Sequence, residues 1–170
     1  CSSDLLFLTP FFVAVPTNSP WKSMSELIKS AKAEPGKISY GSWGVGSPGH
    51  LGGEWLDYLT GSKMTHVPYR EVSQLFTSVA NGDPSWSFAS LPSSQGIYKS
   101  GKIRYLAVAA PKRIAQMPDV PTVAEAGGPA ELDVNSFVSL LSPKGVDTAV
   151  RDKIRSDVVA VLQDPQVREK

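Results

Sequence analysis

Apolar and polar positions alternate along the chain in short blocks of two kinds. Phe11-Phe12-Val13-Ala14-Val15 is a continuous apolar run, the pattern of a strand buried on both faces. The wider stretch Leu5 to Val15, broken by Thr9 and Pro10, reads as one or two buried strands, too short to span a bilayer. Ser23-Met24-Ser25-Glu26 has the spacing of a capping box and predicts a helix over Met24 to Ala33, stopped by Pro35-Gly36. Further strands are predicted at Ile38 to Ser42, Met64 to Tyr69, Trp86 to Ala89, Arg104 to Ala109 and Val134 to Leu141. Helices are predicted carrying Leu51, Trp55, Leu56 and Leu59 toward Gly61, with Trp55 on an apolar stripe with Leu51 and Leu59, and over Val72 to Ala80. Others are expected around Gln95 to Lys99, over Pro121 to Ala126, and over Asp147 to Leu162 with Val150, Ile154, Val158 and Leu162 at a spacing of four. Strands alternating with helices over short loops imply βαβ units and a largely parallel sheet, an α/β fold.

Composition narrows the function. The 170 residues carry 17 Lys+Arg against 16 Asp+Glu, a net charge of +1, without the basic excess of a nucleic-acid-binding module. One cysteine, Cys1, permits no internal disulfide, and with only two histidines no Cys/His metal site is expected. Cys1 reads either as a lipid-modified terminus or as an arbitrary start. The first residues carry no basic stretch and no cleavage site, so no signal peptide is read. No cofactor and no catalytic constellation is expected, so the chain reads as a binding protein and not an enzyme.

The densest signal is Gly41-Ser42-Trp43-Gly44-Val45-Gly46-Ser47-Pro48-Gly49-His50, after a strand and opening a helix. Backbone N–H groups and the positive helix end make such a loop an anion site, and ligands of open parallel sheets sit at the carboxyl ends of strands. The ligand-binding candidates are Ser42, Trp43, Gly44, Val45, Gly46, Ser47, His50, Tyr69 and Ser90. Trp43 reads as a pocket rim or as a cap on the core edge, and His50 as a ligand contact or a plain first-turn residue. His66 reads as a packing histidine, and Glu54 as an i, i+4 partner of His50. Gly44, Gly46 and Gly49 also fit G-x-G-x-x-G, which keeps a nucleotide-phosphate-binding enzyme domain as an alternative, weakened by Pro48 and by the lack of a well-placed acidic residue. A truncated interaction module without ligand is a third reading.

His66-Val67-Pro68-Tyr69-Arg70 resembles the His-Val-Pro-Tyr-Lys signature of the Bug family, the extracytoplasmic solute receptors of tripartite tricarboxylate transporters. Tyr40-Gly41-Ser42 through His50-Leu51, Gly101 to Val108, and Met117 to Gly127 resemble three further blocks in the same order, over about Leu8 to Arg168. The resemblance implies a type II periplasmic-binding-protein fold, here one complete lobe plus part of a second. On that layout 1–14 is a hinge crossing and remnant of the first lobe, 15–108 the second lobe, and 109–170 the hinge return and C-terminal part of the first. It implies a periplasmic receptor that takes a small carboxylate and hands it to membrane permease subunits, a monomer if full length and a dimer if truncated. The family's opening, with its first-lobe glycine-rich loop, is not represented in the sequence. Glu71 stands where the family has glycine, and Gly82 to Phe88, with Pro84, replaces a more apolar strand.

Overall fold

The computed structural model describes residues 2–168, so Cys1 lies outside the described residues. In chain order the elements are β1 (Ser2–Pro10), β2 (Phe12–Pro16), α1 (Met24–Ala33), β3 (Ser39–Ser42), α2 (Pro48–Thr60), β4 (Thr65–Pro68) and α3 (Val72–Ala80). They continue as β5 (Trp86–Ala89), α4 (Leu91–Lys99), β6 (Ile103–Val108), β7 (Asn135–Ser142), α5 (Thr148–Gln163) and α6 (Pro165–Arg168). The chain divides into two compact units, 9–136 and a smaller one formed by 2–8 with 137–168.

The larger unit holds a five-stranded sheet in the order β4-β3-β5-β2-β6. β3 runs parallel to β4 and to β5, with Tyr40 opposite His66 on one side and Trp86 on the other. β2 runs antiparallel to both β5 and β6, so the sheet is mixed: four strands share one direction, as expected from the βαβ pattern, and β2 opposes them. Every residue of β2 is buried. Phe11, Val13 and Val15 belong to one core layer with Met24 and Leu27 of α1 and Leu56 of α2. Phe12 and Ala14 belong to the other with Leu75, Phe76 and Val79 of α3. Burial on both faces is the reason the segment reads as an unbroken apolar run.

Ser23 caps α1 as expected, its Oγ accepting the Glu26 N–H at 3.3 Å, while the Glu26 carboxylate reaches one residue further back than a strict capping box and accepts the Lys22 N–H at 2.6 Å. α3 and β5 have the bounds read from the sequence, whereas α4 starts earlier, at Leu91. The helix expected over Pro121 to Ala126 is absent. Thr122 bridges in parallel to Val108, which holds this stretch extended at its start. Thr122 and Glu125 still cap each other, the Glu125 N–H donating to Thr122 Oγ1 at 3.2 Å and the Thr122 N–H to Glu125 Oε2 at 2.8 Å. The turn closes after one cycle because Gly127, at φ 80°, leaves the right-handed region.

The smaller unit contains most of β1 and β7, which pair as a two-stranded ribbon, together with α5 and α6. None of the α5 residues is buried.

Candidate functional site

The glycine-rich segment links the end of β3 to the start of α2. Gly44 and Gly46 have φ of 121° and 81°, values that a side chain would strain, so the loop needs glycine at both places. Ser42 is fully buried, and its Oγ accepts the Gly44 N–H at 3.2 Å, lies 3.0 Å from the Gly44 carbonyl as its donor, and meets His66 Nε2 at 2.7 Å. The Gly46 N–H donates to His50 Nδ1 at 3.1 Å, and the Ser47 N–H to the Gly44 carbonyl at 3.2 Å. Ser47 caps α2, its Oγ accepting the His50 N–H at 3.3 Å. The amides of Gly44, Gly46 and Ser47 therefore hold the loop closed on itself. The Gly44/Gly46/Gly49 spacing builds no phosphate cradle, because Gly49 serves a different purpose: a Cβ there would stand 2.9 Å from Trp43 Cζ3.

Behind the loop lies a strip of aromatic and polar side chains. The His50 and His66 rings are 4.1 Å apart, and Tyr40 stacks on His66 at 5.1 Å. The Tyr40 hydroxyl donates to Glu54 Oε1 at 2.7 Å, and the same oxygen is 3.9 Å from His50 Nε2. Burial, and then the neighbouring His50, hold His66 below its ordinary value, so its imidazole is neutral at neutral pH. Burial and the Glu54 bond push the Tyr40 phenol well above its usual range. His50 and His66 thus meet in space although no cluster of three or more metal-ligating groups exists among the described residues.

In front of the loop is a cavity of about 340 Å³. Its walls are Phe11, Trp43, Pro48 and Val72, with the hydroxyl-bearing Ser90, Ser93 and Ser136. Pro48 is the first residue of α2, Val72 the first of α3, and Ser90 the N-cap of α4. Three strands of one direction, β3, β4 and β5, each end beside this cavity and pass into a helix whose N-terminus faces it. Neither Glu71 nor Ser90 makes a side-chain cap bond to its helix. First-turn amides of α3 and α4 are thereby left to other acceptors, and the three positive helix ends add.

Of the sequence candidates, Trp43 and Ser90 line the cavity. Ser42 is buried beneath the loop, Val45 is exposed, and the Tyr69 hydroxyl donates to the Asp83 carbonyl at 3.3 Å. Phe11, Pro48, Val72, Ser93 and Ser136 complete the walls without having been named as ligand contacts. A signal existed for Val72 and Ser93: each lies just after a strand end of the same sheet, as the glycine loop does.

The family model described as tripartite tricarboxylate transporter family receptor matches residues 5–170. A protein encoded in the gbd 5' region of Cupriavidus necator is 35% identical over 159 residues, covering 94% of this chain and 48% of its own length. The solved structure of R. palustris Rpa4515 with adipate is 30% identical, with a TM-score of 0.86 over 96% of this chain and 54% of that one. The periplasmic binding protein BugD is 26% identical, with a TM-score of 0.83 over 97% and 55%. The chain spans about half the length of the curated relatives it matches.

Proposed function

Because the chain belongs to the tripartite tricarboxylate transporter receptor family, we propose that it forms one wall of a periplasmic receptor that captures a small carboxylate for a membrane permease. The observation that carries this reading is the convergence of three helix N-termini on one cavity whose lining side chains bear no charge. An anion held there would be met by oriented N–H dipoles and serine hydroxyls, as expected of a chain with a net charge of only +1. Adipate in the related Rpa4515 supports the carboxylate class. No helix among the described residues is long and apolar enough to cross a membrane. On this reading the acid is handed to separate membrane permease subunits, and the full-length receptor acts as a monomer.

Isothermal titration calorimetry with adipate, malate, citrate and benzoate tests the proposal. The material is the polypeptide encoded by the complete reading frame that contains this chain. Saturable binding of at least one acid is expected. Silence from all four overturns the carboxylate reading.

A further inference from the structure

His50 is fixed through its backbone and its ring alike. Its N–H donates to Ser47 Oγ, its carbonyl accepts the Tyr40 hydroxyl at 3.4 Å, and its ring lies 4.1 Å from that of His66. Its Nδ1 accepts the Gly46 N–H at 3.1 Å. That last bond settles the tautomer. Nδ1 carries no proton, so the neutral ring carries its proton on Nε2, the side that faces Glu54 Oε1 at 3.9 Å. A proton added at Nδ1 would set one donor against another, and the Gly46 N–H would have to leave. The His50 side chain is 20% exposed, so such a proton can arrive from solvent.

The groups around His50 decide where the proton goes. Glu54, on the same helix, favours a charged ring. His66 on β4 is held neutral by burial and by His50, so a proton entering the pair belongs to His50. Tyr40 on β3 keeps its own proton on Glu54, with Asp57 acting on it in the same sense. The inner half of the glycine loop is indifferent to all this. Ser42 Oγ accepts the Gly44 N–H, and if His66 Nε2 donates to it, the hydroxyl proton turns to the Gly44 carbonyl at 3.0 Å. We propose that His50 is a positioning residue that acts as a proton-operated latch on the glycine loop. Neutral, it pins Gly46 and closes the turn between Trp43 and Pro48, both of which stand in the cavity wall. Protonated, it lets the outer half of the turn go while the Ser42 to Gly44 anchor stays. The latch rests on hydrogen-bond geometry alone and stands whichever ligand the cavity takes.

Amide exchange measured by NMR on the complete reading-frame product tests it, between about pH 8 and 5.5, the range in which imidazoles titrate. Each rate is divided by the intrinsic rate at the same pH. Protection of the Gly46 amide is expected to fall about tenfold in one transition, the factor that one net hydrogen bond represents, while that of Gly44 holds. The transition should coincide with titration of the His50 ring nitrogens. His50→Asn supplies an acceptor that takes no proton in this range, and is expected to keep Gly46 protected throughout. His50→Leu supplies none, and is expected to leave Gly46 unprotected at every pH with Gly44 unaffected. Constant protection of Gly46 in the parent protein overturns the latch, as does the same transition in a folded His50→Asn. Loss of Gly44 and Gly46 together reports a general loosening in acid and overturns it as well.

Discussion

His66 lies on β4, at the edge of the sheet, yet its ring is enclosed by Tyr40, His50 and Ser42. The parallel register of β3 and β4 sets Tyr40 opposite His66, and α2 returns His50 over the pair. Sixteen residues of separation hid this contact in the sequence, because the register of two strands joined by a helix has no local signature. Burial first, and then the neighbouring His50, hold the His66 imidazole below its ordinary value of 6.5, against the pull of the Glu54 carboxylate. The unfolded chain binds a proton near that value while the folded one resists it. Stability is therefore full above about pH 6.5 and falls as acid is added. Melting temperatures taken between about pH 7.5 and 5.5 should decline, and His66→Asn should flatten the decline. Equal slopes for the two proteins would remove His66 from the account.

At the scale of elements, α2 shows why a hydrophobic pattern can point the wrong way. Of the apolar residues read on this helix, Leu56 is fully buried and Leu59 packs against the core, but Leu51 is 58% exposed and Trp55 38%. The buried residues are Gly49, Gly52, Gly53 and Leu56. The sheet beneath supplies most of the volume, with Tyr40, Trp86 and Phe88 fully buried, so beyond Leu56 the helix meets it with glycines. Glycine does not count as apolar in a periodicity reading, and the partner's bulk comes from strands far along the chain. Elements with local causes were legible, namely α1 through its capping box and α3 through its apolar spacing. The glycine loop was legible as a loop, but its inward-turned amides and the uncapped starts of α3 and α4 depend on the assembled sheet. The close approach has a measurable consequence. A Cβ on Gly53 would stand 2.2 Å from Tyr40 Cε2 and 2.5 Å from Tyr40 Cζ. Gly53→Ala gains about 1 kcal/mol of helix propensity but forces the tyrosine ring to move, at about 1–3 kcal/mol or more. Urea unfolding should show net destabilisation, and a variant as stable as the parent would mean that α2 lifts from the sheet at no cost.

Across the whole molecule the two units differ in what holds them. The larger one buries apolar residues on both faces of its sheet, and β2 has no exposed residue at all. In the smaller one, Phe137 and Leu141 of β7 are 66% and 70% exposed, and Val150, Ile154 and Val161 of α5 are each about half exposed. The spacing of four along α5 correctly marks an amphipathic helix, but amphipathicity specifies only that a face wants a partner, not what supplies it. A sixteen-residue helix is only marginally stable without tertiary packing. Its Asp147 cap and its Lys153–Asp157 pair, both exposed, contribute at most about 1 kcal/mol each. Native-state hydrogen exchange on the 170-residue chain should then separate the units. Amides of β2 and β6 should open only with global unfolding, while those of α5 exchange through local opening at a free energy near zero. Protection in α5 equal to that in β2 would require burial of its apolar face in solution, and a concentration dependence of that protection would identify a second copy of the chain as the cover.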